Sequence, residues 1–427
     1  MKHLLIILFL IVGIQKAEGQ TYFPPLTGSQ WDTVKPQSLG WCEDSINVLY
    51  DWLEDSQTKA FIVLKNGKIV LEKYFGTFTA DSFYVWNSAG KTLTAYAVGI
   101  AQKEGFLQLS DPTSDYLVSG LTSLSQVQED SITILHQLTM TTGLDDGVPD
   151  MFCTDPTCLQ YLAPVGSRWA YHNGPYTLLD GVIENATGMS LNNWVNTRIK
   201  SKIGLVGTYI QVGYNNIFVS RARGMARFGL LLSQNGFWNG TPVLDDPNFL
   251  QEMIQPSQNL NESYGYLTWL NGQSSFMLPQ LQFVFNGMLC PNAPADMFAA
   301  EGKNGQIINV VPSQDLVVVR MGSTMGNSLV GTQYNDTLWQ YINRLSCELG
   351  LEEALKDVEI YPNPSASTIQ ITGLKPEDQL RITDLNGKEL SFNRNETNID
   401  CSHWKAGNYL VHINRKGTKV TKRIAIK

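Results

Sequence analysis

Apolar and polar positions change their period several times along the chain, and each change marks an element. Ala60-Phe61-Ile62-Val63-Leu64 and Lys68-Ile69-Val70-Leu71-Glu72 are β-rich runs on either side of Lys65-Asn66-Gly67, which predicts a hairpin with an Asn-Gly turn. A helix fits residues 42–55 just ahead of it. Over residues 92–104, Leu93, Tyr96, Ala97 and Ile100 recur at helical spacing and Gly105 supplies the stop. Residues 132–235 read mainly as helices joined by Gly, Pro and Asp loops. Strand-like runs return at 306–311 and 316–321, joined by Pro312-Ser313-Gln314-Asp315, and a helix over 339–349 closes the body. Strands and a helix, then helices, then strands and a helix imply a mixed α/β (α+β) fold. Its antiparallel sheet is built from both chain ends and flanked by helices, with a mainly helical domain inserted between.

After residue 355 the texture changes again. From Val358 onward short alternating strands are separated by turns at Asn386-Gly387 and Ala406-Gly407-Asn408, and they end in strands over 409–413 and 419–426. This predicts a small β-sandwich of about seventy residues. The division expected is 1–19, 20–348 for the body, a linker over 349–356, and 357–427 for the sandwich.

The first segment, 1–19, has the pattern of a signal peptide. Lys2 and His3 precede the apolar run 4–14, and Ala17-Glu18-Gly19 resembles a small-residue cleavage site before Gln20. No other stretch approaches the ~20 apolar residues needed to cross a bilayer, so the expectation is an exported protein with no stable membrane span. Of the 427 residues 43% are hydrophobic and 16% charged, which is globular rather than disordered composition. A net charge of -8 argues against a nucleic-acid partner, since phosphate binding needs a basic stripe.

Six cysteines in an exported chain permit disulfides. Cys153 and Cys158 bracket a short loop that could close locally, Cys42 and Cys347 flank the body, and Cys290 and Cys401 are left over. No Cys/His cluster has metal spacing, and neither a metal nor another cofactor is expected.

The candidate chemistry is acyl transfer, which requires a nucleophile, a base beside it and donors for the oxyanion. G-x-S-x-G is absent, and of five histidines His3 lies in the leader and His403 and His412 in the tail, so a Ser-His-Asp triad is poorly supplied. S-x-x-K places a lysine one helical turn after a serine. It occurs at Ser56/Lys59, Ser88/Lys91 and Ser402/Lys405, and only Ser88 opens a long apolar helix directly after the strand-like Phe83-Tyr84-Val85-Trp86. There its backbone N–H would sit at a helix N-terminus, where negative charge is favoured. Y-x-N occurs four times; Tyr171-His172-Asn173 alone lies in a loop at a helix entrance within the insertion. K-x-G, as Lys303-Asn304-Gly305, leads straight into the strand at 306–311, whereas the identical Lys65-Asn66-Gly67 is the hairpin turn. His172 and His136 read as structural, and Asp145, Asp146, Asp150 and Asp155 as a solvated loop. Trp86, Trp169, Tyr264, Tyr266 and Trp269 read as core or pocket lining.

With these motifs in this order, the chain resembles the serine β-lactamase and penicillin-binding-protein superfamily over residues 43–347, nearest its class C-like branch. Ile132-Thr133-Ile134-Leu135-His136-Gln137-Leu138-Thr139-Met140-Thr141-Thr142-Gly143-Leu144 and Met225-Ala226-Arg227-Phe228-Gly229 add to the likeness. The resemblance implies a serine hydrolase in which Ser88 forms an acyl-enzyme and Lys91 and Tyr171 share base and acid duties. Asn173 would bind the acyl side chain and Lys303 a substrate carboxylate. The N–H groups of Ser88 and Gln306 would form the oxyanion hole, with Asn304, Gly305 and Gln306 along the substrate edge. Asn304 stands where true class C β-lactamases have threonine or serine, which favours ester or amide (peptide-like) small molecules over penicillins. A β-lactamase or D-alanyl-D-alanine carboxypeptidase, and a non-catalytic ligand-binding surface protein, are the alternatives. The tail, through Tyr361-Pro362-Asn363-Pro364, Asp384-Leu385-Asn386-Gly387-Lys388 and Ala406-Gly407-Asn408-Tyr409-Leu410-Val411, resembles the sorting domain of type IX secretion substrates. This implies the type IX secretion machinery as a partner and a secreted or cell-surface location. An adhesive or carbohydrate-binding module is the other reading of the tail.

Overall fold

The computed structural model describes residues 21–323, 330–347, 357–385, 387–392, 394–395, 398–415 and 418–427. The expected signal peptide, the linker over 349–356 and Asn386 of the predicted tail turn lie outside the described residues.

In chain order the body runs α1 (Glu43–Asp55), β1 (Thr58–Lys65), β2 (Lys68–Tyr74) and α2 (Gly90–Lys103), then the insertion with α3 (Asn173–Thr187), β3 (Gly207–Val212), β4 (Asn215–Ser220) and α4 (Ala222–Ser233). It returns through β5 (Trp269–Leu270), β6 (Phe298–Gly302), β7 (Gln306–Val311), β8 (Leu316–Gly322) and α5 (Thr332–Ile342). The main sheet has the order β2-β1-β8-β7-β6-β5 and every pairing is antiparallel. The first strands thus meet the last ones at β1–β8, with Ile62 opposite Val319 and Lys65 opposite Leu316. This is the sheet expected from both chain ends.

Every residue of β7 and β8 is buried, so both faces of the sheet are covered, which explains their unbroken Ile/Val runs. Helix α4 lies close upon it: a Cβ added at Gly229 would meet Val317 at 2.5 Å and Ile308 at 2.9 Å. Trp52 of α1 stacks on Tyr334 and Tyr341 of α5.

The mainly helical insertion also holds a hairpin, β3 and β4, turned at Gly213 with Val212 opposite Asn215. The β-branched and aromatic residues of 208–212 and 216–220 on either side of Gly213 carry this signal. The closing helix ends at Ile342 rather than extending through 339–349. Beyond Asn343 the chain is drawn into a bridge between Trp41 and Ser346 and into the Cys42–Cys347 disulfide, which a continued helix would prevent.

The chain divides into two compact units, one of residues up to Leu39 with Glu43–Arg344, the other of Gly40–Cys42 with Leu345–Lys427. In the second, Glu359–Tyr361, Thr368–Thr372, Asn398–Asp400 and Arg394–Asn395 form one sheet, and Gln379–Asp384, Gly407–Arg415 and Thr418–Ile426 another. Ile369, Ile371 and Ile399 of the first share a core with Ile382, Val411, Ile413 and Ile424 of the second, which makes a small sandwich. Cys153–Cys158 is the other disulfide, and Cys290 and Cys401 are free and buried. Among the described residues no helix is long and apolar enough to cross a membrane.

Candidate active site

The turn that presents Ser88 is built from its flanks. Tyr84 and Val85 pair with Ser220 and Val219, and buried Trp86 donates Nε1–H to Ser220 Oγ at 2.7 Å. The chain then reverses at Asn87, whose φ of +47° is a left-handed conformation that Asn tolerates better than most residues. Ser88 lies in the one-turn 3-10 helix Asn87–Ala89 that feeds α2, a turn ahead of where the apolar period alone places the helix start. Its burial is intermediate, so the hydroxyl can be reached.

Lys91, in the first turn of α2, is buried. Its Nζ donates to Ser88 Oγ at 3.3 Å and to Asn173 Oδ1 at 2.7 Å, and lies 4.1 Å from the centre of the Tyr176 ring. Burial disfavours the ammonium and pulls its pKa down to about 7, with the Asp180 carboxylate opposing part of that shift. Lys91 therefore gives up its proton far more readily than a free lysine, and both of its charge states are accessible near neutral pH.

Tyr171 is buried too, stacked on Trp269 with ring centres 5.8 Å apart and edge-on to Tyr264 at 6.2 Å. Desolvation raises its hydroxyl well above the usual phenol range; a hydrogen bond with Ser88 works against this, and the nearby Glu301 charge adds to it. Tyr171 thus stays protonated. Glu301 is itself buried and held by Thr332 Oγ1 and Asn335 Nδ2, each at 2.8 Å. Between Tyr171 and Asn173 sits His172, buried with neither ring nitrogen partnered; burial lowers its pKa to about 4. Asn173 opens α3 and accepts from Lys91 at its Oδ1, leaving its amide N–H groups as the donors available to a substrate.

Lys303 sits on the β6–β7 turn, where its carbonyl accepts from Asn87 Nδ2 at 2.8 Å. A cavity of about 210 Å³ takes in Ser88, Lys91, Tyr171, Asn173 and Lys303 together. Asn304, Gly305 and Gln306 are not part of its lining. The Asn304 and Gly305 carbonyls accept from the buried Arg320 guanidinium, and the fully buried Gln306 amide bonds Gly322. The strand comes closest to the nucleophile turn at Gly302, where a Cβ would lie 2.4 Å from Trp86 O, 2.8 Å from Ala89 N and 3.0 Å from Ser88 N.

Sequence reasoning passed over several members of this cavity, among them Asn87, Phe152, Tyr176, Asn216 and Ile217. Some were within reach. Asn173, Tyr176 and Asp180 recur at i, i+3 and i+7 along α3, a polar stripe on the face that packs inward. Asp180 is buried, accepts from Asn216 Nδ2 at 2.9 Å and has its pKa pushed up to about 7 by desolvation. In the acidic loop Asp150 and Asp155 are exposed, Asp155 accepting from Tyr214, while Asp145 and Asp146 are half-buried and Asp146 pairs with Arg168. Among the described residues no group of His, Cys, Asp and Glu is arranged to hold a metal ion.

The β-lactamase family profile matches residues 54–338, and that of the secretion system C-terminal sorting domain matches 359–427. An uncharacterized protein of Alkalihalophilus pseudofirmus is 25% identical over 314 residues, spanning 64% of this chain and 86% of that one. A penicillin-binding protein homolog from Caulobacter crescentus superposes with a TM-score of 0.55 at 15% identity, covering 71% of this chain and 98% of that one. A family VIII carboxylesterase superposes with a TM-score of 0.55 at 14% identity, covering 74% and 99%. These structural likenesses bear on the fold alone. The family match extends over most of the chain and contains every member of the Ser88 constellation: the protein belongs to the β-lactamase family and carries a secretion-system sorting domain at its C-terminal end.

Proposed function

We propose that this protein is an exported serine hydrolase that acts on ester or amide substrates through an acyl-enzyme on Ser88. The observation that carries the reading is the contact of Lys91 Nζ with Ser88 Oγ, made by a lysine whose burial brings its pKa to about 7. A neutral amine in that position can take the hydroxyl proton as Ser88 Oγ bonds the substrate carbonyl carbon. Tyr171, kept protonated by its surroundings, is suited to pass a proton to the leaving group rather than to act first as base. Water then attacks the ester carbonyl, the same groups return the proton to Ser88, and the acid is released.

The oxyanion donors that fit best are the N–H of Ser88 and that of Lys303, which directly follows the close approach at Gly302. Gln306 sits opposite Gly302 in the β6–β7 ladder and its side chain faces away from the cavity. Removing one such donor costs ~3 kcal/mol in comparable enzymes. Lys303, exposed at the mouth, is placed to attract a carboxylate.

Residues 1–19 serve as signal peptide, 349–356 as linker, and 357–427 as an address for type IX secretion, which directs the enzyme to the cell surface or beyond it. A fluorophosphonate probe tests the reading. The expected result is a single adduct on Ser88, located by mass spectrometry and absent from Ser88→Ala. Turnover of p-nitrophenyl acetate with none of nitrocefin or D-alanyl peptides supports the ester preference. The reverse pattern moves the protein to β-lactamase or carboxypeptidase activity, and no adduct with any of them leaves a ligand-binding protein.

A further inference from the structure

A second cavity, of about 380 Å³, shares no lining residue with the one over Ser88 and gathers three arginines in a chain whose net charge is -8. Arg221, Arg223 and Arg227 reach it from the region where α4 begins, and the N-terminal segment contributes Leu26 and Trp31. The three guanidinium groups are not equally engaged. Arg223 bonds both Glu72 oxygens, at 2.6 and 2.7 Å, and donates to Ser29 O. Arg227 is 6% exposed, and its Nη1 and Nη2 donate only to carbonyls, those of Ile203 and Pro25, at 2.7 and 2.6 Å. Among the described residues no carboxylate pairs with it. Burial and the Arg223 charge lower its pKa only to about 10, so it remains a cation. A guanidinium is rarely this buried without an anionic partner. Arg221 meets Asp81 at 3.1 Å in a pair whose carboxylate is 83% exposed, while its Nε is buried with no hydrogen-bond partner. Exposed pairs of that kind contribute little, so Arg221 is free to turn to a better acceptor.

We propose that this cavity binds a small organic carboxylate, a single negative charge carried on an uncharged apolar body. The site stands apart from the serine-hydrolase reading and does not rest on it. The charge of the ligand follows from the lining. Three guanidinium groups are met by two carboxylates, Glu72 and Asp81, which leaves one positive charge uncompensated. A carboxylate matches that charge, whereas a phosphate monoester brings close to two. The planar guanidinium with an unused N–H also suits a carboxylate oxygen. Trp31 holds the buried cation in place, its ring centre 5.1 Å from the Arg227 guanidinium carbon. The apolar body follows from size and from the rest of the wall. A carboxylate group by itself fills only a small part of about 380 Å³, and Leu26 and Val206, 48% and 49% exposed, present apolar surface beside the arginines.

The test is calorimetric titration of the purified protein with benzoate, hexanoate, benzamide, phenyl phosphate and inorganic phosphate. At least one of the two carboxylates is expected to bind at a single site, both phosphates more weakly, and benzamide not at all. Arg221→Gln, at a half-exposed position, is expected to weaken carboxylate binding about tenfold by removing a charged donor, with thermal unfolding of the free protein unchanged. Val206→Glu, which sets a like charge against the ligand, is expected to weaken it by a similar factor. Lys303→Ala is expected to leave it unaltered, which separates this cavity from the mouth of the Ser88 site. Amide hydrogen exchange is expected to slow on binding in residues 25–31 and 221–227. No binding of either carboxylate, an affinity unmoved by both Arg221→Gln and Val206→Glu, or binding lost in Lys303→Ala overturns the site. Tighter binding of phenyl phosphate overturns the choice of a carboxylate, and equal binding of benzamide overturns the need for charge. Inorganic phosphate binding as tightly as the organic acids overturns the apolar body.

Discussion

Lys-Asn-Gly occurs twice in the main sheet, and both copies fold alike. Lys65-Asn66-Gly67 turns β1 into β2, and Lys303-Asn304-Gly305 turns β6 into β7. Asn66 and Gly67 have φ of +50° and +76°, Asn304 and Gly305 +65° and +67°. The turns sit at opposite ends of the sheet, since Lys65 lies opposite Leu316 at one end of β8 and Ile307 opposite Arg320 near the other. Their surroundings separate them. The first is covered by the N-terminal segment, with Trp31 Nε1 donating to Gly67 O and Tyr22 N to Asn66 O, and Lys65 donates to Gln314 O. The second is clamped by Arg320 from behind and by Asn87 from the side of the nucleophile. Identical local sequence produces identical turns; only the chain brought alongside makes one of them a candidate binding element.

The sharpest break of this comparison is at the nucleophile itself. Ser88→Ala is expected to lower ester hydrolysis by about 10³-fold or more while thermal unfolding stays nearly unchanged. Full activity in that variant would leave the two turns with nothing to distinguish them. Next come the glycines. Gly302→Ala forces a methyl group against the Ser88 turn and is expected to reduce kcat/KM roughly a hundredfold. Gly67→Ala, whose Cβ would meet Tyr22 O at 1.8 Å, is expected to cost about 1–3 kcal/mol of stability, read by denaturant unfolding, with kcat/KM retained. Equal activity losses in the two variants would erase the contrast.

The lysines test it more gently. Lys303→Ala is expected to lower kcat/KM about tenfold for a substrate bearing a carboxylate, and Lys65→Ala less than twofold, in parallel steady-state assays. The smallest effect lies in the pH profile. On the proposed mechanism, in which neutral Lys91 is the base, kcat/KM should fall as pH drops through about 7. Asp180 favours the charged form, so Asp180→Asn should move that acid limb to lower pH. A limb that moves upward, or stays in place, would show that Asp180 does not act on Lys91.

The antiparallel sheet, the Asn-Gly hairpin, the helix after Ser88 and the tail sandwich were legible because each follows from local periodicity and turn chemistry. The β3–β4 hairpin is hidden by a helical background, although Gly213 and the flanking β-branched and aromatic residues point to it. The position of Gly302 was not legible at all. A glycine before Lys-Asn-Gly looks like part of a turn, and its value lies in meeting Trp86 and Ser88, more than two hundred residues away in the chain. The same holds for Arg320, which reads as one charge in an apolar strand and yet donates to Ser56, Thr58, Asn304, Gly305 and Ser323.

By itself, the order of residues determined the elements, the two-part organisation and the short-range pair Ser88 and Lys91, because a helical turn fixes the spacing of i and i+3 whatever surrounds it. Tertiary structure decided which Lys-Asn-Gly meets the nucleophile, that Asn173 and Tyr171 close around Lys91, and that Lys91 is held near neutrality. Those outcomes depend on burial and on contacts between distant segments. Desolvation acts on a group only through what the fold packs around it, and no local pattern carries that information.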